Sequence, residues 1–176
     1  RGFLDVQKSK ISRHSPTASS LSHRVCMTIA AQMFFIAEGF DVSTAFLRGL
    51  KFQEITERAR ELGFETHLQR KVWLRPPGNV WRHLRLLGFT TVEDFERHIF
   101  LFLLLKAMYG LVDGPLLFQM AFLHFLITEM LFHKSLHDEN FLYLHDYDLT
   151  KLIAIIVVHV DDLVIASTYE NIRWIQ

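Results

Sequence analysis

The chain has 176 residues, enough for one ordinary domain or a pair of small subdomains. Half of the residues are hydrophobic and 13% are aromatic, which excludes wholesale disorder, because a disordered chain lacks the apolar side chains a core needs. A single cysteine, Cys26, excludes an internal disulfide framework and any zinc site built on several thiolates.

The net charge is zero, but it divides unevenly. Residues 1–85 carry 14 Lys/Arg against 7 Asp/Glu, a balance of +7, and residues 86–176 carry 5 against 12, a balance of −7. A basic half suits a polyanion and an acidic half suits metal ions or the basic half itself; two solvated surfaces that merely differ would give the same counts. The longest apolar runs, Ile99–Leu105 and Leu152–Val158, have seven residues each. A spanning helix needs roughly 18 or more, so no membrane partner is expected. The sequence starts at Arg1 without a signal-peptide pattern and reads as a piece of something longer, intracellular and not secreted.

In chain order, the polar stretch Gln7–Ser22, with Ser15-Pro16, reads as a loop. Val25, Ile29, Met33 and Ile36 recur at helical spacing and predict a helix over Leu21–Ala37, ended by Gly39. Phe40–Leu47 follows as a short strand, and Phe52–Leu62 as a mostly solvated helix. Arg75–Asn79, with its paired prolines, is a breaker. Leu86–Leu105 is ambiguous, with Thr91–Leu104 compatible with a helix. Tyr109–Pro115 is a loop. Leu116–Phe132 predicts a long helix whose Gln119, His124 and Glu129 mark a wet side. Phe141–His145, Leu152–Val160 and Leu163–Ala166 are β-rich runs, and Asp161-Asp162 between the last two predicts a hairpin with both carboxylates at its tip.

Asp is common in turns because its side chain bonds the local backbone. Two adjacent like charges at a hairpin tip, however, call for a cation or solvent to offset them. Asp41 ends another short hydrophobic run. If the two strands lie side by side, three carboxylates converge in an all-oxygen site suited to Mg²⁺, which is usually held by one or two carboxylates plus substrate phosphates. His133 and His137 would share a face if that segment were helical, a weaker zinc reading.

Five motifs stand in order along the chain: Arg1-Gly2-Phe3; Ser15-Pro16-Thr17-Ala18 with Ser22 and Arg24; Phe40-Asp41-Val42, Thr44-Ala45-Phe46-Leu47 and Gly49; Lys106-Ala107-Met108-Tyr109-Gly110-Leu111 running to Gly114-Pro115; and Val158-His159-Val160-Asp161-Asp162. Together they resemble the reverse transcriptase domain of copia-like LTR retrotransposons, a part of a Pol polyprotein. The resemblance implies an α+β fold of right-hand polymerase fingers and palm, with a ferredoxin-like antiparallel palm sheet backed by helices and the thumb absent. It divides the chain into fingers and first palm helix (1–38), palm strand with the first Asp motif (39–52), fingers with an atypical insertion at about 85–105 (53–105), and palm with the Tyr-Gly loop and Asp-Asp hairpin (106–176).

It also implies an RNA-directed DNA polymerase, a nucleotidyltransferase using two Mg²⁺ ions, with Mn²⁺ as a substitute. Asp41, Asp161 and Asp162 would be catalytic and would hold the metal together with the carbonyl of Val42. Phe46, Tyr109, Gly110 and Arg24 would meet the nucleotide, Phe46 excluding a ribose 2′-hydroxyl. Arg58, Arg70, Lys71 and Arg75 would meet nucleic-acid backbone, and Trp73 and Trp81 either stack on bases or pack in a core. The implied partners are an RNA or DNA template-primer, a dNTP, and the thumb, RNase H and integrase of the polyprotein, in a cytoplasmic particle or the nucleus. The sequence departs from the family by about twenty residues between Trp81-Arg82-His83-Leu84 and Lys106, by His159 where Tyr is usual, and by Phe118 where Trp is usual. Those departures keep open a truncated, degenerate remnant that at most binds nucleic acid. An unrelated Mg²⁺-dependent hydrolase would lack the Tyr109–Pro115 loop and Phe46.

Overall fold

The structure is a computed structural model, and it describes residues 14–63, 71–89 and 101–175. These form six helices and seven strands in a mixed, α+β arrangement. A five-stranded sheet has the order β1-β7-β6-β5-β4 (Ile36–Asp41, Asp162–Ser167, Leu152–His159, Phe141–His145, His133–Lys134), with every neighbouring pair antiparallel. A separate two-stranded ribbon pairs β2 (Val72–Leu74) with β3 (Phe102–Leu104).

The unbroken apolar run of β6 follows from its place in this sheet. Ala154–Val158 are all fully buried because both faces are covered, so no position is free for a polar side chain. Ile155 and Val157 pack with Ala166 against Cys26 and Ala30 of α1 (Ser20–Met33). Ile156 and Val158 face the larger core, built on α5 (Gly114–Thr128) and on Ile55, Ala59 and Leu62 of α3 (Ile55–Leu62). Those three residues, spaced four and three apart, form the single apolar stripe of α3.

The first helix ends earlier than its apolar spacing suggests. Phe34 takes a left-handed conformation (φ 55°) and its N–H bonds the Ala30 carbonyl, so α1 stops at Met33. The following residues, Gly39 included, are extended because each pairs with β7, from Ile36 opposite Ser167 to Asp41 opposite Asp162. The strand expected over Phe40–Leu47 therefore lies earlier, and Ala45–Arg48 is a short helix, α2.

Further along, α4 (Gly78–Leu86) starts directly after Pro77, and β3 is extended where a helix was compatible with the sequence; residues 90–100 of that expectation lie outside the described ones. Within α5, Leu116–Met120 are all buried, including Gln119, which was expected to be wet. Gln119 Nε2 donates to the Pro16 carbonyl (3.0 Å) and to Asn140 Oδ1, and its Oε1 accepts from Ser15 Oγ (2.8 Å). The amide is tolerated in the core because its partners come with it. The chain closes with α6 (Tyr169–Ile175). Among the described residues no helix is long and apolar enough to cross a membrane.

Candidate functional site: an acidic corner at one end of the sheet

The acidic residues gather where β1, β6 and β7 end. Asp41 is the register partner of Asp162, and Asp162 is also the partner of His159. Residues directly opposite across antiparallel strands share a face, and strand alternation puts these three on the α1 side, the side of Val157 and Ala166. Asp41, His159 and Asp162 are exposed and, with His23 of α1, line a shallow cavity of about 340 Å³. His23 Nδ1 donates to the Ser19 carbonyl at 3.1 Å, which leaves its other ring nitrogen free of that bond.

The hairpin tip differs from the expected one. Its two turn residues are Val160 and Asp161, and Asp162 is the first residue of β7 rather than part of the tip. Val160 has φ 59°, a left-handed conformation that is strained for a β-branched residue. A tight hairpin of this kind favours glycine at its first central position, because the right-handed twist of the strands demands positive φ there. Asp161, half-buried, accepts a backbone hydrogen bond from Val42 N–H at 3.0 Å. The turn is thus tied to the residue after Asp41, so the two acidic motifs are joined by backbone as well as by strand pairing.

Among the described residues no three His, Cys, Asp or Glu side chains are grouped so as to hold a metal ion by themselves. The register explains this. Asp41 and Asp162 share a face by pairing, whereas Asp161 lies outside the strand ladder. The donor chemistry nonetheless fits a hard ion such as Mg²⁺, which needs only one or two carboxylates and takes its remaining oxygens from water and substrate phosphate.

Phe46 of α2 and Tyr109 of the loop before α5 bring two motifs into contact, with ring centroids 4.9 Å apart. Gly110 follows with φ 94°, a conformation that favours glycine. Gly114 borders the Phe46 ring, which would lie 3.6 Å from an added Cβ.

The cations fare unequally. Lys71 and Arg75 are exposed at either end of β2. Arg58 is occupied by Glu61 at 2.7 Å; that hydrogen bond raises the guanidinium pKa and lowers that of the carboxylate. Arg24 is exposed on α1, while its neighbour His23, not singled out from the sequence, reaches the acidic cavity. Arg70 lies outside the described residues. Trp81 is buried, edge-on to Phe102 at 4.8 Å, whereas Trp73 is 56% exposed. The zinc reading loses its premise, since His133 is on a strand and His137 in a loop.

Compared with known proteins, the chain matches no family model, no curated protein and no solved structure.

Proposed function

We propose that this chain is a reverse-transcriptase-type nucleotidyltransferase domain of the copia-like kind, adding deoxynucleotides to a primer paired with an RNA or DNA template. The observation that carries the reading is the pairing of Asp41 with Asp162 across β1 and β7, reinforced by the Val42-to-Asp161 backbone bond. Two sequence-distant acidic motifs meet, as the shared chemistry requires. The strand order β1-β7-β6 over α5 supports a palm, and the β2–β3 ribbon with α4 supports fingers.

Asp41, Asp161 and Asp162 would hold Mg²⁺, with the Val42 carbonyl adding an oxygen donor. When bound, the metal activates the primer hydroxyl and neutralises charge on the leaving pyrophosphate. The chain's own groups do the rest by position. Phe46, braced by the Tyr109 ring, presents a wall that a 2′-hydroxyl would strike. Gly110 lets the backbone approach the nucleotide closely. Lys71 and Arg75 supply exposed charge for template phosphates.

Two measurements test this on the chain as it stands. Mn²⁺ titration followed by electron paramagnetic resonance should show binding that weakens at least tenfold in Asp41→Asn and in Asp161→Asn. Equal binding in the wild type and both variants would remove the metal site. Extension of an oligo(dT) primer on poly(rA) should then depend on Asp161. A chain that retards template-primer in a gel yet extends nothing, with Mg²⁺ or Mn²⁺, is the non-catalytic remnant instead.

A further inference from the structure

A second cavity lies on the opposite side of β1 from the acidic face. Its volume is about 540 Å³, within the range of roughly 300–1,000 Å³ typical of small-molecule sites. Phe40, Phe118, Phe122 and Phe125 wall it, and Ser43 and Arg48 stand at its edge. The Phe118 and Phe122 rings lie nearly parallel, 12° apart in plane with centroids at 5.6 Å, and Phe125 remains 47% exposed. Arg48 is held in place, its Nε donating to the Ser43 carbonyl at 3.0 Å, and among the described residues it forms no ion pair. Its terminal nitrogens keep donors in hand for an oxyanion.

We propose that this cavity binds an aromatic anion, its ring among the phenylalanines and its acidic group on Arg48. The aromatic preference follows from the walls, where Phe122 and Phe125 keep exposed ring surface against which an aromatic ring stacks. The anionic group follows from the rim, where Arg48 keeps donors free for an oxyanion. The proposal does not depend on the polymerase reading, although this cavity shares Phe40, Asp41 and Leu163 with the acidic one.

Anilinonaphthalene sulfonate, an aromatic anion whose fluorescence rises in apolar surroundings, is the probe. The chain should bind it saturably, one to one, with a Kd on the order of tens of micromolar for a ligand of this size. Arg48→Gln should weaken binding about tenfold through loss of the charge-assisted bonds, leaving binding of the uncharged analogue phenylnaphthylamine unchanged. Ala121→Trp, which places an indole in the cavity, should abolish binding of both dyes. Near-ultraviolet circular dichroism on each sample separates site binding from the dye uptake of loosely packed states. Wild-type affinity in both variants, or binding confined to samples without a near-ultraviolet signal, overturns the proposal. So does a wild-type dimer by sedimentation that Ala121→Trp turns monomeric, because the groove would then belong to a second copy.

Discussion

Asp138 does its work away from the acidic corner. Its carboxylate accepts hydrogen bonds from the Ser19 N–H (2.8 Å), the Ser22 hydroxyl and the Asn140 N–H (3.0 Å), so it fastens the start of α1 to the loop before β5. Burial pulls its pKa up, but these bonds outweigh burial and hold it below the ordinary aspartate value. The lowered pKa fixes the sign of its pH dependence. Its stabilisation is fully present above the ordinary carboxylate range, near pH 4, and drains away as pH falls through the lower folded value. Asp138→Ala should therefore cost about 1–2 kcal/mol in urea unfolding at neutral pH. The gap from wild type should narrow in acid, and a gap that widens below pH 4 would refute the assignment. Val160 offers the opposite case. Its φ of 59° stores strain, which glycine would release at some cost in chain entropy, so Val160→Gly should raise stability by about 1 kcal/mol. A drop in the unfolding midpoint would mean that the Val160 side chain matters more than its backbone. Cys26, buried against the sheet with its thiol pKa pushed up by burial, is an inert packing residue.

Between elements, α2 packs tightly on α5. A Cβ at Gly49 would stand 3.0 Å from the Phe118 nitrogen and 3.1 Å from the Leu117 carbonyl carbon, both backbone atoms that cannot swing aside. The same approach lets Leu50 N–H bond the Leu117 carbonyl at 3.2 Å. Gly49→Ala should cost about 1–3 kcal/mol by overpacking, whereas Gly114→Ala, whose nearest neighbour is a ring carbon at 3.6 Å, should be nearly neutral. Thermal melts of the two variants check this, and equal melting points would show that α2 is not seated as described. This contact also sets the position of Phe46 relative to the Tyr109 loop. Legibility differed among the elements for physical reasons. β6 was readable because a β-branched, unbroken apolar run marks a strand buried on both faces, and β5 and β7 were readable as shorter apolar runs beside it. β1 was misplaced because Glu38-Gly39 has little strand character of its own and is extended only by pairing with β7. Gln119 was misjudged because a buried amide is acceptable only if partners from elsewhere in the chain arrive with it, and those partners cannot be seen locally. Trp73 and Trp81 look alike in sequence, yet only Trp81 has Phe102 and a closed pocket to fill.

Across the whole molecule, the charge division of the sequence becomes a test of nucleic-acid binding. If the exposed cations of the first half meet phosphate, affinity for template-primer falls steeply with salt, and each cation removed lowers the log–log slope by about 1. Lys71→Gln and Arg75→Gln should each do so, whereas Arg58→Gln should leave the slope unchanged because Arg58 is already engaged by Glu61. Filter binding at several salt concentrations decides it, and a slope insensitive to Lys71 and Arg75 would assign the basic half no role in binding. The sequence by itself determined the α+β class, the two acidic motifs and the strands around the second of them, because hydrophobic periodicity and residue type act locally. It could not determine which aspartate faces Asp41. That depends on strand register, where a shift of one residue turns every side chain to the other face, and the register is set by the packing of β1, β6 and β7 between α1 and α5. The cavity under β1 is likewise a product of tertiary structure, since Phe40 lies far in the chain from Phe118, Phe122 and Phe125 of α5 and meets them only when the sheet closes over that helix.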